Sequence, residues 1–88
     1  MDIFHDKKNI SKEIQFGKNV KIGNNVVIQG TGTIADDVII GHNVILEGDF
    51  IINENTRIDN FSLIRGNVEI GKNNWIYPYC SIGTGSQH

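Results

Sequence analysis

Large apolar residues recur along this chain at every sixth position. From Phe16 they run Ile22, Ile28, Ile34, Ile40, Leu46, Ile52, Ile58, Ile64, Ile70, Ile76 and Ile82, without an insertion. Ile, Val, Leu and Phe make up 28 of the 88 residues, so agreement at twelve chosen positions has a chance on the order of one in a million. A fixed short period of this kind marks a repeat protein, in which each unit buries its apolar face only by stacking on the next.

Two residues before each large apolar position lies a second one on the same strand face, because side chains two apart on a strand point the same way. Small or β-branched residues fill it: Val20, Val26, Val38, Val44, Thr56, Ser62, Val68 and Cys80. Gly32, Phe50 and Asn74 are the irregular occupants. Three residues after the large apolar position come Asn19, Asn25, Asp37, Asn43, Asp49, Asn55, Asn67 and Asn73, residue types that tolerate a left-handed backbone in a turn. Each hexad therefore reads as a short strand followed by a corner.

Composition supports strands and turns. Sixteen Ile, eleven Asn and ten Gly stand against two Leu and one Met, a mixture that disfavours helix. One Cys and one Pro in 88 residues exclude a disulfide-stapled miniprotein, so packing must hold the chain together. No apolar run approaches the roughly 18 residues of a membrane span. The first residues lack a long apolar stretch after their basic positions and do not read as a secretory signal. A net charge of -2 has the wrong sign for a nucleic-acid binder. The unpaired Cys80 agrees with a reducing cytoplasm.

Segments such as Ile22-Gly23-Asn24-Asn25-Val26-Val27 and Ile40-Gly41-His42-Asn43-Val44-Ile45 resemble the hexapeptide-repeat proteins, which fold as left-handed parallel β-helices. The resemblance covers residues 16–87. It implies an all-β, left-handed parallel β-helix, a hexapeptide-repeat solenoid of about four triangular coils, three hexads or 18 residues to a coil. Residues 1–15 lie outside the strict repeat, although Ile10 and Ile14 continue its inward positions. They are expected to form an N-terminal cap across the first coil, with residues 16–88 as the β-helix domain or as the front of a longer one.

Stacking by 18 places Lys18 over Asp36, Glu54 over Lys72 and Glu47 over Arg65, exposed pairs worth at most about 1 kcal/mol each that support the register. It also gathers Val27, Ile45 and Leu63 into one outward apolar column. Residues of this kind on a prism side are expected at a subunit contact, and the resemblance implies a homotrimer whose sides abut.

Ile40-Gly41-His42-Asn43-Val44 resembles the catalytic-His segment of the N-acyltransferases that act on UDP-3-O-acylglucosamine. In that reading His42 is the general base and Asn43 a substrate contact. A competing reading of His42 and Asn43 is a plain turn, with no carboxylate beside the ring. The stretch Ile70-Gly71-Lys72-Asn73-Asn74-Trp75-Ile76-Tyr77-Pro78-Tyr79-Cys80-Ser81-Ile82-Gly83-Thr84-Gly85-Ser86-Gln87 resembles the UDP-N-acetylglucosamine O-acyltransferases of lipid A biosynthesis, where it runs into a substrate loop. That resemblance implies substrate contacts at Tyr79, Gln87 and His88, His88 standing where the family has Asp. It also places the catalytic His beyond this chain.

The expected activity is transfer of an acyl group from coenzyme A or an acyl carrier protein to an amino-sugar nucleotide in the cytoplasm, with no bound cofactor. The alternative is a non-catalytic β-helix module for structure or oligomerisation. Cys80 takes an inward position and reads as a packed thiol. Phe61, Trp75, Tyr77 and Tyr79 form an aromatic cluster suited to stacking on a base or to covering an interface. One class of zinc carbonic anhydrases shares the fold that the resemblance implies, but His5, His42 and His88 are spread too far to match its ligands, so no metal site is expected.

Overall fold

A computed structural model describes residues 9–83. They form an all-β parallel solenoid of about four turns, with no α-helix among the described residues. Nine strands follow in order: β1 (Ile14–Phe16), β2 (Lys21–Ile22), β3 (Val27–Ile34), β4 (Ile39–Ile40), β5 (Ile45–Ile52), β6 (Arg57–Ile58), β7 (Leu63–Ile70), β8 (Trp75–Ile76) and β9 (Ser81–Gly83). Odd-numbered strands pair in the order β1-β3-β5-β7-β9 and even-numbered ones in the order β2-β4-β6-β8. Every pairing is parallel and shifted by 18 residues, as in Val27↔Ile45, Ile45↔Leu63 and Leu63↔Ser81. No helix of the described residues is long and apolar enough to cross a membrane.

The register follows from burial. A slip of one residue would turn every inward side chain out, and the inward columns are almost completely dry. Ile28, Ile34, Leu46, Ile52, Ile58 and Ile64 have no exposed surface, each contributing about 1.5–3 kcal/mol over an exposed side chain. Burial fades in the last described turn, where Val68, Ile76, Cys80 and Ile82 are half-buried.

The pairing reaches back before residue 16. β1 starts at Ile14 opposite Gly32, and Ile10 forms a parallel bridge with Ile28. The last residues of the segment expected to lie across the first coil thus pair along its edge.

Three corners close each turn, and they are built in two ways. Asn19, Asp37, Asn55 and Asn73 form one corner column and Asn25, Asn43, Phe61 and Tyr79 the next, all with φ between 58 and 64°. At the third corner the expected residues, Asp49 and Asn67, are not the left-handed ones. Gly30, Gly48 and Gly66 turn the chain there, with φ of 104, 112 and 97°. Such values lie beyond the left-handed pocket open to L-residues, near +60°, and only glycine adopts them without strain. The ladder consequently runs through this corner, so β3, β5 and β7 are eight residues long and each spans two sides. A Cβ on Gly48 would also stand 2.6 Å from the Gly66 carbonyl oxygen.

The stacked charges differ in kind. Arg65 Nε donates to Glu47 Oε1 at 3.0 Å, and Lys72 lies 4.0 Å from Glu54. Asp36, expected to pair with the Lys18 ammonium, instead accepts the Lys18 backbone N–H at 2.7 Å.

Candidate functional site

His42 stands at the corner between the side made by the even-numbered strands and the side that begins with β3, β5 and β7. Its main chain and ring are held by the turns on either side. Its N–H donates to Asn60 Oδ1 at 2.7 Å, and its carbonyl accepts the Phe61 N–H at 3.0 Å. On the other side the Asn24 N–H donates to His42 Nδ1 at 2.8 Å. Gly23 permits this approach, since a Cβ there would meet Nδ1 at 2.7 Å.

This contact fixes the chemistry of the ring. An imidazole nitrogen that accepts a hydrogen bond carries no proton, so the neutral ring is protonated at Nε2 and presents an N–H outward. A general base requires the opposite arrangement, a free lone pair facing the acceptor group. For His42 to take a proton in this geometry, the Nδ1 bond to Asn24 must first break.

His42 lines a shallow groove of about 350 Å³ on the side formed by β2, β4, β6 and β8, together with Lys21, Ile39, Arg57, Asp59 and Asn60. Lys21, Ile39, Arg57 and Trp75 are successive members of one outward column. Arg57 lies 5.5 Å over the Trp75 ring and its Nε is 3.6 Å from Asp59 Oδ2. The indole Nε1–H donates to that same oxygen at 3.1 Å, and the Asn60 backbone N–H donates to Oδ1 at 2.9 Å. The Asn60 N–H, then the Trp75 indole, with the nearby Arg57 charge, hold the Asp59 carboxyl below its usual 3.8 against an opposing desolvation cost.

The other sequence-predicted residues are dispersed. Asn43, with φ 58° and its N–H donating to the Asn24 carbonyl at 2.9 Å, builds the corner beside His42. Tyr79, at φ 62°, stacks on Phe61 with centroids 5.2 Å apart and planes 4° from parallel. Gln87, His88 and His5 lie outside the described residues. Val27, Ile45 and Leu63 stand opposite one another in one column and are half-buried. Cys80 is half-buried, its N–H 3.4 Å from Ser62 Oγ. No group of three or more His, Cys, Asp or Glu among the described residues is placed to hold a metal ion.

Sequence reasoning did not single out Lys21, Arg57, Asp59 or Asn60 as members of one site with His42. The signal was in the period. Lys21, Ile39 and Arg57 are spaced by 18, and the corner column of His42 contains Asn60. Comparison with protein-family models, curated proteins and solved structures gives no match, so the reading of function stands on the chain's own residues and motifs.

Proposed function

We propose that the chain is a left-handed β-helix of the hexapeptide-repeat acyltransferase kind. It serves as the scaffold of an enzyme that moves an acyl group from a coenzyme A or acyl carrier protein thioester to an amino-sugar nucleotide in the cytoplasm. The observation that carries this reading is the 18-residue ladder, unbroken from β1 to β9. It leads without insertion into the Ile76-Tyr77-Pro78-Tyr79-Cys80-Ser81-Ile82-Gly83 segment. Three subunits join along the Val27, Ile45 and Leu63 column, and the base that activates the acceptor is a group other than His42 in its present ring state.

One observation favours a second reading, a non-catalytic assembly module. The His42 ring spends its lone pair on the Asn24 N–H and offers a donor, not a base, to anything that approaches.

Solution mass and acyl transfer separate the two. Light scattering is expected to give a trimer of about 29 kDa from three 9.8-kDa chains, and a monomer would overturn the shared interface. Acyl transfer to UDP-N-acetylglucosamine that survives His42→Ala supports the scaffold reading. Transfer lost while the trimer persists returns the base to His42. An intact trimer that transfers nothing from either thioester leaves the assembly module as the function.

A further inference from the structure

The groove beside His42 is rich in donors and poor in acceptors. Lys21 makes no ion pair among the described residues, whose ion pairs are Arg57–Asp59, Arg65–Glu47 and Lys72–Glu54. His42 presents Nε2–H, because Nδ1 accepts from Asn24. Asn60 spends its carbonyl oxygen on the His42 N–H, which leaves its NH2 to donate. Arg57 has terminal nitrogens beyond the Nε that faces Asp59. The one acceptor group in this set, the Asp59 carboxylate, already takes an N–H on each oxygen. Between the cations lies Ile39, 39% exposed. Lys21 and Arg57 flank it in the pairing order, their backbones two strand spacings or roughly 10 Å apart, so a group seated on Ile39 is within reach of both side chains.

We propose that this groove binds a small organic anion, its phosphate or carboxylate held by Lys21, His42 Nε2–H, Asn60 and Arg57 and its apolar body resting on Ile39. The adjoining groove on the same side serves as a contrast. It is lined by Asn19, Lys21, Asp37, Ile39 and Asn55, where Asp37 balances the one cation and the excess of donors is gone. Acyl transfer is not needed for this site, and the site stands or falls apart from it.

Trp75 is the one tryptophan of the chain and lies under Arg57, so an anion that draws the guanidinium away alters its fluorescence. The test titrates the whole chain with phenyl phosphate and with benzoate at constant ionic strength, using sodium chloride as the reference. A saturable fluorescence change with either is expected, and the stronger of the two names the head group. Lys21→Ala, a change at an exposed position, is expected to weaken binding at least fivefold while circular dichroism stays that of the parent. Calorimetry with Arg57→Gln, which removes the fluorescence reporter's partner, is expected to show a similar loss. A linear response equal to that of chloride for both compounds, or binding unchanged in Lys21→Ala and Arg57→Gln, overturns the proposal.

Discussion

Phe50 occupies the space that Gly32 leaves open in the turn before it: a Cβ at position 32 would stand 2.6 Å from the Phe50 carbonyl oxygen and 2.8 Å from two atoms of its ring. The two are paired in register. They belong to the column Ile14, Gly32, Phe50 and Val68, in which one residue without a side chain adjoins the bulkiest member. Phe50 has no exposed surface. Two of the three irregular occupants of the inward position thus compensate each other, and interior density is kept by the sum of neighbours.

Gly32→Ala is therefore expected to overpack this site and cost about 1–3 kcal/mol in urea unfolding. Phe50→Leu in the same chain should return part of that loss, because the ring contact is relieved while the carbonyl contact remains. Additive losses in the double variant would show that the pair is not coupled.

The core and two of the three corners were legible in the sequence because each rests on a local rule repeated in phase. An aliphatic every sixth residue fixes the inward face, and Asn or Asp at Asn19, Asn25, Asp37, Asn43, Asn55 and Asn73 fits a φ near +60°. The third corner was misread because it obeys a different rule. Asp49 and Asn67 occupy the expected place, but the glycine before each reaches a φ near +100° that Asx residues do not, so the bend moves one residue and the strand continues. Of the candidate site, His42 was legible as a residue but its ring state was not. Which nitrogen carries the proton depends on the Asn24 N–H, 18 residues away in sequence and one turn away in space.

Asn43 separates a turn role from a contact role. Its φ of 58° costs an ordinary L-residue roughly 1–2 kcal/mol and glycine almost nothing. Asn43→Ala should lower stability by about 1 kcal/mol and Asn43→Gly by less, both read from thermal unfolding. If the two variants lose the same amount, the side chain of Asn43, and not its backbone, is what the corner needs.

Two buried hydroxyls fasten the last described turn to the one before it. Thr56 Oγ1 donates to the Gly71 carbonyl at 2.7 Å and accepts the Asn74 N–H at 3.3 Å. Ser62 Oγ donates to the Tyr77 carbonyl at 3.0 Å and accepts the Cys80 N–H at 3.4 Å. Earlier turns carry Val at the equivalent Val20, Val38, Val26 and Val44. Thr56→Val preserves shape but strips the partners from Gly71 and Asn74, an expected loss of about 1–3 kcal/mol. Amide hydrogen exchange should quicken at Asn74 and Trp75 before it does at Ile39 or Ile40. Uniform quickening would mean that the turns unfold together and the hydroxyls have no local role.

Asp59 ties the corner to Trp75, and its titration gives the fold an acid-sensitive point. The carboxyl is held below 3.8 when folded by the Asn60 N–H, the Trp75 indole and the Arg57 charge, whereas the unfolded chain releases it to the ordinary value. A depressed carboxyl contributes stability that is fully present above about pH 4. That contribution is lost as the pH falls from there through the lower folded value, since the unfolded state then binds the proton first. Unfolding midpoints measured from pH 6 down to pH 2.5 should fall more steeply for the parent than for Asp59→Asn, which has no carboxylate to protonate. The same descent should shift the emission of Trp75, as its Nε1–H loses the charged partner 3.1 Å away. Parallel pH profiles for parent and variant, with emission unchanged, would mean that the acid response belongs to other carboxylates and that the Asp59–Trp75 bond does not persist in solution.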